Sequence, residues 1–192
     1  MGAMTIAEAW PPAGRPFTVT ELDRMPDDGR RYELVDGALV VSPRPVKAHQ
    51  EVTAALLVLL RQECPPDLRA FHEPAVQLSP RTELDPDIVV IRAQHLPGAK
   101  VTQPPRLVVE VRSPRTALID LNVKKTAYER FGVESYWIVV PDVGQPELIV
   151  FELHKGRYEQ IAHVTGDEPF RAEKPFRLDV VPARLVAGLL PD

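Results

Sequence analysis

One carboxylate set into an otherwise apolar, β-branched run constrains this chain most: Leu107-Val108-Val109-Glu110-Val111, followed by Arg112-Ser113-Pro114. Bounded by Pro104-Pro105 and Pro114, the run reads as a short strand buried on both faces. A Glu inside such a strand is costly to bury unless a cation, a proton or a hydrogen-bond network meets it. The fold therefore has to bring a partner to Glu110.

Two other features point to the same place. Asp85-Pro86-Asp87 opens a second apolar run, Ile88-Val89-Val90-Ile91. After Pro114 the spacing predicts a helix from about Ala117 to Phe131, closed by Gly132 as a C-terminal glycine cap. At about 100° per residue, Asp120, Leu121, Lys124, Tyr128 and Phe131 share one face of it, with Lys125 at the edge. Lys124 thus lies on the apolar face, where a lysine either snorkels or meets an acid. Glu110, on the strand just before, is an available partner.

Composition excludes little but sets bounds. The 192 residues suit a single domain with a proper core, and 44% apolar with 26% charged residues is ordinary globular composition. The net charge of −4 gives no global basic signature of a nucleic-acid binder. Locally, though, Arg112, Arg115, Lys124, Lys125 and Arg130 face only Asp120 and Glu129, an excess of three positive charges around the proposed site. The lone Cys64 excludes an intrachain disulfide and a cysteine metal site and fits a reducing cytoplasm; no run is long and apolar enough to span a membrane.

Taken in order, residues 1–17 read as a flexible arm, with Met1-Gly2-Ala3 as a cloning scar, ahead of one domain at 18–192. Thr18 or Thr20 caps a short helix with Glu21 in its first turn. Asp36-Gly37, the dipeptide that accepts positive φ values, joins two strands between Arg31 and Val41 into a hairpin. From Pro45 to Glu63, Val52, Ala55, Leu56, Leu59 and Leu60 form one helical face. Strands are expected at Phe71–Leu78, after Asp87, at Glu110, at Ser135–Val140, and in a meander at Leu148–Leu153 and Arg157–Val164; a short helix between Asp179 and Leu190 closes the chain. A mixed central sheet with a helix on each side is the natural packing, the Glu110 strand, its crossover helix and the Trp137 strand forming a βαβ unit.

Two carboxylates and a lysine brought together by neighbouring elements suit a divalent-metal phosphodiesterase site. Mg²⁺ takes oxygen ligands, commonly one or two carboxylates with waters completing the shell, and Asp87 and Glu110 can supply two. The metal offsets charge on the scissile phosphate and lowers the pKa of an attacking water, while an adjacent ammonium stabilises developing charge. Blander readings stand beside this one. Asp87 could cap a turn after Pro86, Glu110 could be a structural acid paired with Arg112 or Arg115, and Lys124 could snorkel. Asp85, ahead of the proline, is expected to face solvent.

Several pieces resemble one family. Tyr32-Glu33-Leu34-Val35-Asp36-Gly37, His49-Gln50, Pro86-Asp87, Val109-Glu110-Val111 with Ser113-Pro114, Asp120, Lys124, Tyr128 and Gly132-Val133-Glu134-Ser135-Tyr136-Trp137 follow one another in the order and spacing of the Uma2 (DUF820) group of the PD-(D/E)XK nuclease superfamily. The resemblance spans roughly residues 30 to 142. It implies an α/β (α+β) restriction-endonuclease-like core with a mixed central sheet flanked by helices. It also implies an Mg²⁺-dependent site with Asp87 and Glu110 as metal ligands and Glu33 as an additional acid. The superfamily places a lysine two residues after the Glu; here that residue is Arg112, and the resemblance moves the lysine to the following helix, where Lys124 stands.

The expected function is a metal-dependent DNA endonuclease, acting as a homodimer, as two-strand cleavage often requires, with Mn²⁺ able to replace Mg²⁺. Asp87, Glu110, Lys124 and Glu33 carry the chemistry, and His49, Arg112, Arg115 and Lys125 contact phosphate or DNA. The alternative is a catalytically inactive nuclease-fold module that binds DNA or a protein partner. Tyr128 and Trp137 are expected in the core.

Overall fold

The structure, a computed structural model, describes residues 15–42, 45–112 and 119–189, and of 119–121 the backbone alone. Its core is built on the two apolar runs that carry Asp87 and Glu110. These are β6 (Ile88–Arg92) and β7 (Leu107–Val111), adjacent in a six-stranded sheet. Around them stand β3 (Leu68–His72), β8 (Ser135–Val140), β9 (Glu147–His154) and β10 (Arg157–Thr165), in the order β10-β9-β8-β7-β6-β3. Only β7 and β8 run parallel; the other pairs are antiparallel. The sheet is mixed, as expected, and the parallel pair is the predicted βαβ unit.

Period two along the central strands sorts their side chains to opposite faces. On one face Val90, Leu107, Val109, Trp137 and Val139 pack against Val52, Leu56 and Leu60 of α2 (Lys47–Glu63). On the other, Val89, Val108, Tyr136 and Ile138 meet Tyr128 of α3 (Lys125–Phe131). Both faces are covered, which is why β7 and β8 read as unbroken apolar runs rather than alternating ones. Tyr128 and Trp137 are fully buried, as their positions predict.

A second sheet was not foreseen. β1 (Arg31–Val35) and β2 (Ala38–Ser42) form the expected hairpin, with Asp36 at φ 48° and Gly37 at φ 85°. This hairpin is extended by β5 (Thr82–Leu84) and β4 (Val76–Ser79) into a four-stranded sheet ordered β2-β1-β5-β4. The run expected as one strand at Phe71–Leu78 is therefore divided. β3 belongs to one sheet and β4 to the other, because Glu73 adopts a left-handed φ of 47° and Pro74 offers no N–H to a ladder.

The ends of the chain also differ in detail. Thr18 caps α1 (Val19–Leu22) in a capping box with Glu21. Phe17, assigned by sequence to the arm, is buried with Val19, Leu22 and Leu34, and its N–H donates to Gly37 O at 2.9 Å. A side chain at Gly37 would collide with Pro16. The rest of the arm, residues 1–14, lies outside the described residues. The closing helix is shorter than expected. Leu178–Val180 instead forms β12, paired with β11 (Phe170–Ala172), and the helical part is the turn α4 (Pro182–Leu185) followed by a 3₁₀ turn at Ala187–Leu189. Pro182 holds Val181 extended, which ends the strand and starts the turn. Among the described residues no helix is long and apolar enough to cross a membrane.

Candidate active site

The antiparallel register of β6 and β7 brings Asp87 and Glu110 together. Ile88, the first residue of β6, lies opposite Val109, so Asp87 and Glu110 stand at the same end of the two strands, where Asp87 also accepts from the Val111 N–H. Both acids are buried, at 1% and 3% exposure.

Each carboxylate is held by donors from different elements. Asp87 Oδ2 accepts from the Val111 N–H at 2.6 Å and lies 3.1 Å from His49 Nε2 in the first turns of α2. Arg31 Nη2, from β1, reaches Asp87 Oδ1 at 3.4 Å. Burial alone would raise the Asp87 pKa, but the His49 hydrogen bond and charge, the Arg31 guanidinium and the Val111 N–H outweigh it and hold the carboxyl below the usual range. Glu110 Oε1 accepts from Lys124 Nζ at 3.1 Å and from Tyr128 Oη at 2.9 Å. Burial and the Glu110 charge push the Tyr128 hydroxyl well above its ordinary pKa, so it stays a donor.

Lys124 sits where the helical-face argument put it, buried and facing the acids. The backbone that places it is a wide π-helical segment, Ile119–Lys124, running directly into α3, which ends at Gly132 with φ 89°. Such widened turns concentrate at functional positions. Lys124 Nζ also contacts Glu33 Oε1 at 2.9 Å, so one ammonium bridges acids from the two sheets. Snorkelling is thereby excluded for Lys124.

Glu33 is the larger surprise. Hairpin alternation makes it half-exposed, yet it is 3% exposed, with Lys124 and the Asp85 backbone packed against its carboxylate. Its Oε1 also accepts the Asp85 N–H at 3.0 Å. Asp85, expected in solvent, is half-buried beside it. Burial first, and then the Glu33 charge, push its carboxyl up to about 6.

The expected phosphate contacts fare differently. His49 is buried against Asp87 rather than turned outward, with Thr53 Oγ1 3.4 Å from its Nδ1. Lys125 is directed away: its Nζ lies 4.1 Å from the centre of the Phe151 ring, a cation–π contact on β9. Arg112 is half-buried, its N–H donating to Val139 O at 2.7 Å, and among the described residues its guanidinium pairs with no acid. The Glu110–Arg112 pairing is therefore not formed. Arg115 and the side chain of Asp120 lie outside the described residues. Arg31 was missed altogether. The only signal in the sequence was its place two residues before Glu33, which puts it on the same face of β1.

The donor set suits a hard cation. Asp87 and Glu110 offer carboxylate oxygens from the same end of adjacent strands, and Mg²⁺ uses one or two carboxylates with waters. Among the described residues no three His, Cys, Asp or Glu side chains stand close enough together to enclose a metal.

A mixed sheet flanked by helices, with paired acids at the ends of adjacent strands, has the architecture of the restriction-endonuclease-like nucleases. A crystal structure of a "putative nuclease belonging to DUF820" from Anabaena variabilis ATCC 29413 has this fold, with a TM-score of 0.73, 20% identity, and 91% of this chain matched to 100% of that one. The Uma2 family model, described as "Putative restriction endonuclease", matches residues 19–184, and the chain belongs to this family. No curated protein matches it.

Proposed function

We propose that the chain is an Mg²⁺-dependent DNA endonuclease, with Mn²⁺ able to substitute, that acts as a homodimer. The observation that carries this reading is the pair Asp87 and Glu110 at one end of adjacent strands, with Lys124 Nζ 3.1 Å from Glu110. Asp87 and Glu110 would hold the cation, which supplies charge neutralisation at the phosphate and a more acidic water. The rest of the chemistry belongs to the protein's own groups. The Val111 N–H and His49 fix the Asp87 carboxylate, and the Tyr128 hydroxyl fixes Glu110. Lys124, a buried ammonium between Glu33 and Glu110, would stabilise negative charge developing on a phosphate at the two acids. Glu33 orients the ammonium from the opposite sheet. Arg112, at the position where the superfamily carries lysine, stays protonated and so acts as a cation rather than a proton carrier.

A second reading, a silent binding module, is favoured by one observation. Both acids already have a cationic partner within the protein, Lys124 on Glu110 and Arg31 on Asp87. Calorimetric titration of Mn²⁺, with and without a short DNA duplex, decides between them alongside a nicking assay on supercoiled plasmid. The nuclease reading expects saturable binding and nicking, both abolished in Asp87→Ala and Glu110→Ala. Nicking retained in both variants, or absent from the intact protein with every divalent ion tried, sinks it.

A further inference from the structure

Arg31 carries more than its contact with Asp87 requires. Its side chain is 20% exposed and lies along a hollow of about 420 Å³ lined also by Leu22, Met25, Arg30, Glu73 and Asp85. Only Nη2 is engaged, by Glu73 Oε1 at 2.5 Å and Asp87 Oδ1 at 3.4 Å; among the described residues Nε and Nη1 meet no acceptor. A guanidinium fork with unused donors, lining a hollow and itself in contact with the candidate catalytic carboxylate of Asp87, has the geometry for a bidentate oxyanion.

Glu73 is held there by its backbone. It has φ 47° in the break between β3 and β4, and its N–H donates to Asp87 O at 3.0 Å. Its carboxylate is 35% exposed, with Oε2 4.0 Å from His72 Nδ1. An ion pair between two partly exposed partners is weak, so another anion can displace the acid at little cost. Neighbouring Arg30, 59% exposed and 3.6 Å from Asp28, adds a second cation to the rim.

We propose that Arg31 binds a DNA backbone phosphate in this hollow and that Glu73 is its built-in competitor, displaced when the duplex enters. The proposal rests on the nuclease reading of the site and adds to it the residue that seats the substrate. It also supplies a brake, because unoccupied Arg31 is masked by Glu73.

The test is anisotropy of a fluorescein-labelled 20-base-pair duplex, in EDTA so that cleavage cannot consume the probe. It compares the intact protein with Arg31→Gln, Glu73→Gln and the double variant, each checked by thermal melting. Arg31→Gln should weaken binding about tenfold or more, as expected for loss of a charge-assisted contact. It should also lower the slope of log affinity against log salt by ~0.9. Glu73→Gln should tighten binding by roughly threefold to tenfold, as removal of a weak competing ion pair allows. The double variant should match Arg31→Gln, since Glu73 acts only through that guanidinium. If Arg31→Gln fails to fold, Arg31→Lys replaces it, keeping the charge beside Asp87 but losing the fork, with weaker binding again expected. Unchanged affinity in Glu73→Gln overturns the proposal, as does tightening that persists in the double variant, and either leaves the nuclease reading standing. Metal-dependent nicking of the usual kind by an intact protein whose Arg31 variant binds normally also overturns it. Failure of the intact protein to bind duplex in EDTA at any salt concentration overturns the proposal, while the nicking assay separately decides the nuclease reading.

Discussion

Replacing Lys124 by Met tests the charge logic of the site directly. Lys124 Nζ lies 2.9 Å from Glu33 Oε1 and 3.1 Å from Glu110 Oε1, and all three residues are at most 4% exposed. At about 3 Å and an effective dielectric constant of about 20, each attraction is on the order of 5 kcal/mol. Much of that is offset by the desolvation of three charges, so the net worth of the cluster is small. Truncation is different, because methionine keeps the volume while stranding two buried carboxylates. Loss of one partner from such a cluster costs about 3–5 kcal/mol. A proton taken up by either acid in the folded variant offsets the missing ammonium, so the deficit should be larger at pH 8 than at pH 5. Urea unfolding at the two pH values, followed by tryptophan fluorescence, measures both effects. Lys124→Met with Glu33→Gln should recover part of the loss, since one stranded charge is gone. A deficit under about 1 kcal/mol, the range of an exposed ion pair, with no pH dependence would refute the reasoning.

Three further outcomes follow from the same geometry. Asp85, with its carboxyl pushed up to about 6, binds more protons folded than unfolded between about pH 4 and 6, so it subtracts stability as pH rises through that window. Asp85→Asn should therefore stabilise the protein at pH 7 by up to about 3 kcal/mol and flatten the pH profile; a profile identical to that of the intact protein would remove Asp85 as its source. Tyr128→Phe takes a buried hydroxyl from Glu110 Oε1 and should cost about 1–3 kcal/mol in chemical denaturation. A neutral result there would mean the carboxylate is held without it. In α2, Leu56→Ala at a fully buried position should cost about 2–5 kcal/mol, while Val58→Ala, 55% exposed, should stay within about 0.5. Equal effects in thermal melts would contradict the assigned helix face.

Local chemistry made much of this protein legible in its sequence. Glu110 stood out because a carboxylate in an apolar strand needs a partner, and the 3.6-residue period placed Lys124 on the face that supplies one. Asp36-Gly37 and Gly132 marked the hairpin turn and the helix end, because few residues tolerate positive φ. Such features depend on a handful of adjacent residues, so a linear reading reaches them. Which acids become neighbours was another matter. Glu33 looked half-exposed because alternation reports only the two faces of a strand and not what covers them. What meets its carboxylate comes from far along the chain: Lys124, and the Asp85 N–H just after β5, whose pairing with β1 spans some fifty residues. The same long-range register divided Phe71–Leu78 between two sheets and turned His49 inward onto Asp87. It also brought Arg31 to a carboxylate 56 positions along the chain. Period and turn chemistry are properties of short segments; register between distant strands is set by the packing of the whole core, so only the tertiary structure could decide it.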